Sequence, residues 1–259
     1  MNKIEAVVFD WAGTVIDYGC FAPLEAFLKI FQKHQVEITV DEAREPMGML
    51  KIDHIRTLCA MPRIHDEWVR VHGTDPTEEN IIEMNRDFES ILFNLLPDFT
   101  LPIPGAVELV ERLRERGIKI GSTTGYTKAM MEIVAPRAKQ KGYAPDCYFT
   151  AEDVKAGRPS PWMCYRNAME LDVYPMTRMI KVGDTTTDMK EGKNAGMWTV
   201  GVILGSSELA LSEQEVREMS EVDLQQRMDR VRERLLHAGA DFVIEHISEL
   251  EEVIDQLEN

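Results

Sequence analysis

Val-Val-Phe-Asp-Trp-Ala-Gly-Thr-Val-Ile-Asp, residues 7–17, is the stretch that decides the fold. The apolar run Ile4–Phe9 is short, and it ends at Asp10, where Gly13 and Thr14 turn the chain. A continuous apolar run bounded by a turn reads as a strand buried on both faces, as in a parallel sheet. Asp10 then stands at the carboxyl end of that strand. Residues 22–95 carry a different pattern: Leu24, Phe27, Leu28 and Phe31 recur at helical spacing, as do Ile81, Ile82, Met84, Phe88, Ile91, Leu92 and Leu95. Pro46, Pro62 and Pro76 divide this block into several helices, and Pro97, Pro102 and Pro104 close it. Strand and helix alternate beyond it. Strands are predicted at Ile118–Ser122, Cys147–Phe149, Met179–Val182, Trp198–Ile203 and Asp241–Ile244. Helices are predicted at Gly105–Arg116, Thr127–Lys141, Pro161–Leu171, Asp188–Ala195 and Ile247–Leu257, with one long charged helix within Glu213–His237. Such alternation predicts an α/β class, a doubly wound parallel sheet covered on both faces. Residues 1–20 and 100–259 would form this core, and residues 21–99 an inserted all-helical cap.

Composition narrows the function. The 259 residues include 29 basic against 45 acidic side chains, a net charge of −16. Nucleic-acid backbones and anionic membrane surfaces need a basic face, so neither is an expected partner. An anionic small molecule would need a local cationic pocket or a metal, because the overall field repels it. The cysteines Cys20, Cys59, Cys147 and Cys164 show neither CxxC pairing nor zinc spacing, which predicts free thiols and a cytoplasmic setting. Met-Asn-Lys leads straight into the first strand without a signal-peptide pattern, and no apolar run approaches the ~20 residues needed to span a bilayer.

Ligands of doubly wound sheets sit at the carboxyl ends of strands, and four segments fall there or in the loop that follows. The first is Asp10 with Gly13-Thr14. The second is Ser122-Thr123-Thr124-Gly125-Tyr126, where a small hydroxyl and backbone amides can hold phosphate oxygens; Thr124 and Gly125 are the candidates. The third is Gly157-Arg158-Pro159, whose cation can neutralise phosphate and transition-state charge. The fourth is Lys181-Val-Gly-Asp-Thr-Thr-Thr-Asp188, which sets Asp184 and Asp188 at a strand end as hard oxygen ligands suited to Mg2+. Each alone has a plainer reading: Asp184 as a helix N-cap, Thr124-Gly125 as a turn, Arg158 as a solvated charge.

Together and in this order, the four segments resemble the motifs of the haloacid-dehalogenase-like (HAD) superfamily. The resemblance implies a Rossmann-like core in which Asp10 attacks phosphorus. It also implies a Mg2+ ion held by Asp10, the backbone carbonyl of Ala12 and Asp184, with Asp188 ligating through water or orienting its neighbours. One position departs. Where the superfamily's ordinary phosphatases carry a second aspartate as acid and base, this chain has Ala12. Its proton chemistry must then come from elsewhere, or the site is inactive.

Residues 45–56, Glu-Pro-Met-Gly-Met-Leu-Lys-Ile-Asp-His-Ile-Arg, offer a substitute. Lys51 and His54 are three apart and share a helical face, approached through Met47, Met49 and Leu50. An amine is nucleophilic only when neutral, and lowering a lysine from ~10.4 towards ~7 takes about 4–5 kcal/mol of differential solvation. The plainer reading is a surface helix with both side chains solvated. The segments FDWAGTVIDYGCFAP, PMGMLKIDH, GSTTGYT, AGRPSPWMCY and KVGDTTTDMKEGKNAGMWTVGVILGSSEL resemble the phosphonoacetaldehyde hydrolases, or phosphonatases, over nearly the whole chain. That resemblance implies cleavage of a carbon–phosphorus bond in phosphonate degradation, with Lys51 as a Schiff-base lysine and His54 shuttling protons. Met47, Cys20 and Tyr126 would line the aldehyde end or support the lysine. It further implies a homodimer joined through the cap, for which the sequence adds only an apolar surplus in residues 22–95, Trp68 and Phe31 included. The rivals are a phosphomonoesterase or sugar-phosphate mutase, which Ala12 disfavours; a dehalogenase, which needs no metal carboxylates; and an inactive phospho-ligand-binding module.

Overall fold

Four-residue runs as apolar as Ala6–Phe9 can be buried whole only if neighbouring strands satisfy their backbone on both edges. In the computed structural model, which describes residues 3–46 and 51–259, that is what happens. The strands are β1 (Ala6–Phe9), β2 (Lys119–Thr124), β3 (Cys147–Thr150), β4 (Met179–Gly183), β5 (Trp198–Val202) and β6 (Phe242–Ile244). They form one sheet in the order β3-β2-β1-β4-β5-β6, parallel at every pairing. Phe9 is level with Ser122 of β2 on one side and Val182 of β4 on the other. The chain winds one way from β1 to β2 and β3, then returns to start β4 on the other side of β1. This reversal opens a crevice at the carboxyl ends of β1 and β4.

The chain divides into two compact units, Met1–Cys20 with Thr100–Asn259, and Phe21–Phe99. The second is helical: α1 (Phe21–Lys33), α2 (Val40–Arg44), α3 (Lys51–Ala60), α4 (Pro62–His72) and α5 (Glu78–Leu95). Capping boxes at Thr39/Glu42 and Thr77/Asn80 satisfy the first amides of α2 and α5. Gly73 ends α4 in the left-handed region at φ 75°. Phe27 and Phe88 pack with ring centroids 4.5 Å apart.

The sheet unit carries α6 (Ala106–Glu115), α7 (Lys128–Gln140), α8 (Trp162–Leu171), α9 (Thr186–Ala195), α10 (Glu213–Glu218), α11 (Glu221–His237) and α12 (Leu250–Glu258). Two sequence expectations need correction. The single charged helix within Glu213–His237 is two: Met219 turns extended at ψ 147°, and Ser220 caps a new helix by accepting from the amide of Asp223. A serine followed by acidic residues is a helix start, and here it wins over the continuous charge pattern. Phe31 and Trp68 are not an apolar surplus either, being 0% and 1% exposed within the single chain.

Candidate active site

Asp10 leaves β1 with its amide bound to the carbonyl of Val182 at 2.9 Å, which sets the carboxylate at the crevice. The turn that follows depends on Gly13, at φ +86°, where a Cβ would stand 2.5 Å from Asp184 Oδ2. Only glycine allows the chain to pass so close to a carboxylate in that conformation. Asp184, directly after β4, is fully buried. Its Oδ1 accepts from Thr14 Oγ1 at 3.0 Å, and its Oδ2 from the amide and hydroxyl of Ser207 at 2.8 and 2.6 Å.

Asp188 lies one helical turn on. Thr185 caps α9, and Asp188 Oδ2 returns the contact by accepting from the Thr185 amide and hydroxyl at 3.2 and 2.6 Å. The capped-helix reading of this motif therefore holds, with Thr185 and not Asp184 as the cap. The other oxygen, Oδ1, faces two cations, Arg158 Nη1 at 3.0 Å and Lys181 Nζ at 2.9 Å. A carboxylate used at both ends is fixed in orientation.

Arg158 is no surface charge: its side chain is 13% exposed. Nη2 donates to Asp10 Oδ1 at 2.6 Å and to Thr123 Oγ1 at 2.7 Å, and Nε donates to Glu191 Oε2 at 3.0 Å. Burial raises the Asp10 carboxyl above its ordinary range, against the pull of Arg158. Burial, then Asp10 and Asp188, push Asp184 up to about 8. At Asp188 burial works the same way, but Arg158 and Lys181 outweigh it and hold the group at about 2.

Carboxylate oxygens of Asp10, Asp184 and Asp188 lie within 4.8 Å of one another. With Glu191 the buried cluster holds four carboxyl groups against two cations, Arg158 and Lys181, so that with all four ionised it would carry an excess of two negative charges. Hard oxygen donors and that imbalance fit a divalent cation, which would relieve the penalty at Asp184.

Around this centre, Thr124 is buried at the end of β2 and accepts from the Tyr126 amide at 3.0 Å. Gly125 is exposed, and a Cβ there would meet nothing within 4 Å. The Tyr126 hydroxyl is buried without a hydrogen-bond partner among the described residues. Burial raises its pKa, and the nearby charges of Cys20, Asp17, Asp10 and Asp184 add to the rise. Cys20 is half-buried and adopts φ 54°, unusual for a residue with a Cβ. Ala12 sits in the turn, bridged to Ile16.

On the helical unit, Lys51 opens α3 and is exposed, with its ammonium 6.0 and 5.6 Å from the ring centroids of Phe27 and Phe88. His54 differs from the solvated-face reading. It is 1% exposed, stacks on Phe27 at 3.7 Å, and places Nε2 3.0 Å from the Ala43 carbonyl. Burial pushes its pKa down to about 4, the Ala43 contact opposing and Lys51 assisting, so it is neutral at pH 7. Its Nε2 therefore carries the proton and donates to Ala43. Met47 lies outside the described residues.

Sequence reasoning passed over Glu191 and Ser207, and placed Thr14, Thr123 and Lys181 within the motifs without giving them a role. Two of these left a signal. Lys181 is the one charge in a strand, Met-Ile-Lys-Val-Gly, buried along its whole length. Glu191 is three residues after Asp188, on the same face of α9.

The model of the haloacid dehalogenase-like hydrolases matches residues 4–196. Two proteins named phosphonoacetaldehyde hydrolase, from Bacillus cereus (strain G9842) and Bacillus mycoides (strain KBAB4), are each 64% identical over 256 residues, 99% of this chain and 97% of theirs. The crystal structure of a phosphonoacetaldehyde hydrolase-like protein from Oleispira antarctica superposes with a TM-score of 0.85 at 38% identity, covering 98% of this chain and 92% of that one.

Proposed function

The chain belongs to the phosphonoacetaldehyde hydrolases within the haloacid dehalogenase-like hydrolases, and from that membership and the site's geometry we propose how it works. It is a hydrolase that cleaves the carbon–phosphorus bond of phosphonoacetaldehyde, giving acetaldehyde and phosphate. The observation that carries the mechanism is a buried Asp10, bonded to Arg158 beside Asp184 and Asp188, with alanine at the position of the usual acid and base.

A bare carbanion is a poor leaving group. Lys51 condenses with the aldehyde, water leaves, and the protonated imine becomes an electron sink. Asp10 attacks phosphorus in line, the electron pair of the P–C bond moves into the iminium, and an enamine departs. The enamine takes a proton at carbon, water hydrolyses the imine to acetaldehyde, and the Lys51 amine is regenerated. A second water releases phosphate from the Asp10 aspartyl phosphate. No alkoxide needs a proton at phosphorus, so position 12 needs no carboxylate. Arg158 holds charge at Asp10 and the transferring group, Thr124 and Gly125 offer donors for phosphate oxygens, and Tyr126 and Cys20 line the aldehyde side.

Mg2+ would be held by Asp10, Asp184 and the Ala12 carbonyl, with Asp188 ligating through water or orienting its neighbours, and would let an anionic nucleophile approach an anionic phosphonate. His54 is neutral and exchanges protons during imine formation and breakdown. Residues 21–99 serve as the cap that carries Lys51, and the protein acts as a cytoplasmic homodimer through that cap; sedimentation at micromolar concentration giving a monomer would remove the dimer.

The test is to incubate the protein with Mg2+ and phosphonoacetaldehyde and assay both products, with Lys51→Arg alongside. Equal release of phosphate and acetaldehyde, abolished in Lys51→Arg, is expected. Unchanged turnover in Lys51→Arg would refute the Schiff base.

A further inference from the structure

Glu191 is an expensive residue to keep where it is. It is 0% exposed on α9, and its Oε1 has no hydrogen-bond partner among the described residues. An apolar side chain on that helix face would avoid burying a carboxylate with one oxygen unsatisfied. All its bonding is through Oε2, which accepts from Thr123 Oγ1 at 3.0 Å and from Arg158 Nε at 3.0 Å and lies 3.6 Å from Lys181 Nζ. Thr123 closes a ring, because its hydroxyl oxygen also accepts from Arg158 Nη2 at 2.7 Å.

A guanidinium is planar, so a partner on Nε together with one on Nη2 defines its plane. With Nε on Glu191, Nη2 reaches Asp10 at 2.6 Å and Nη1 points to Asp188 at 3.0 Å. Without Glu191, Arg158 would keep partners only on its far nitrogens, Asp10, Asp188 and Thr123, and Nε would be free to swing. We propose that Glu191 is a positioning residue for phosphoryl transfer: with Thr123 it locks the Arg158 guanidinium in the plane that serves Asp10. This role rests on the proposed phosphonate cleavage, and Glu191 itself touches no reacting atom.

The experiment is a mutant cycle on the full chain with Mg2+ and phosphonoacetaldehyde, comparing Glu191→Gln, Arg158→Lys and the double variant. Glu191→Gln is expected to lower kcat by about 10- to 100-fold, as outer-shell partners do, with KM moving much less. Borohydride trapping of the Lys51 imine is expected to match the wild type, since the imine forms at the aldehyde and not at phosphorus. The double variant is expected to be no slower than Arg158→Lys alone, because one side chain acts through the other. Should Glu191→Gln fail to fold, Thr123→Val carries the same test. It is expected to show a smaller kcat loss, again absorbed by Arg158→Lys. Losses that multiply in the double variant, or a Glu191→Gln enzyme with wild-type kcat, overturn the positioning role while leaving the proposed function intact. A wild type that releases neither product overturns the function, and this role with it.

Discussion

Gly13→Ala is expected to cost this protein far more than a methyl group normally does. Gly13 sits at φ +86°, and an L-residue held in the left-handed region pays roughly 1–2 kcal/mol. The new Cβ would also stand 2.5 Å from Asp184 Oδ2, well inside contact distance. Asp184 has little room to yield, because Ser207 holds Oδ2 at 2.8 and 2.6 Å and Thr14 holds Oδ1 at 3.0 Å. Displacing it leaves at least one buried polar group without its partner, about 1–3 kcal/mol. The sum, about 2–5 kcal/mol, corresponds to a fall in melting temperature of about 10 °C for a chain of this size. Gly125→Ala is the control: its Cβ would meet nothing within 4 Å, and its stability should stay within about 0.5 kcal/mol of wild type. Thermal unfolding followed by circular dichroism reads both. A Mg2+ titration of phosphate release should show Gly13→Ala needing more metal, since the displaced carboxylate is one of the proposed ligands. A Gly13→Ala protein melting within about 2 °C of wild type, or a Gly125→Ala protein falling as far, would refute the close approach of this turn to Asp184.

Lys181→Met should destabilise the fold by about 3–5 kcal/mol in urea unfolding, because it strands Asp188 and Glu191 in the interior with one cation fewer. Adding Glu191→Leu should recover part of that loss, and a further drop in the double variant would contradict the pairing. His54 sets a pH dependence: with its folded pKa pushed down to about 4 from an ordinary 6.5, the unfolded chain binds the proton first, so its contribution to stability falls as pH drops from about 6.5 to 4. The loss is at most about 3 kcal/mol, and the stability difference between wild type and His54→Gln should shift by that much between pH 7 and pH 4; a constant difference would count against a neutral buried imidazole. Chelation with EDTA should stop phosphate release while borohydride still labels Lys51, and Mg2+ should restore turnover; labelling lost together with turnover would tie the lysine's chemistry to the metal.

Much of the site could be read from the chain because local rules decide it. An apolar run ending in a turn, as at Phe9-Asp10 or Val182-Gly183-Asp184, makes a buried strand with a carboxylate at its end whatever the rest of the molecule does. Alternating strand and helix patterns then leave a parallel sheet as the economical packing, and a parallel sheet collects its strand ends on one side. Strand ends gathered on one side make Asp10, Thr124, Asp184 and Asp188 candidates for one site, and it is the resemblance to the superfamily's four motifs, in order, that joins them with Arg158. Local chemistry also misled where two local signals competed: the charged pattern of 213–237 runs straight through Ser220, yet the serine's side chain caps a new helix there.

The tertiary structure alone decided which groups face one another and how far they are from water. Arg158 meets Asp10 across 148 residues of sequence, and the planar fork that also binds Glu191 and Thr123 exists only once β1, β2, α9 and the loop after β3 are packed. Lys181 looks like an ordinary charge until its strand is fourth in chain order and central in space, where Asp188, Glu191 and the Val182 carbonyl make it tolerable. His54 shares a helical face with Lys51 by spacing, but stacking on Phe27 and burial make it neutral while the lysine stays exposed. Periodicity and turn chemistry are properties of neighbours along the chain. Charge state is set by desolvation and by partners within a few ångströms, and those are properties of the packed molecule.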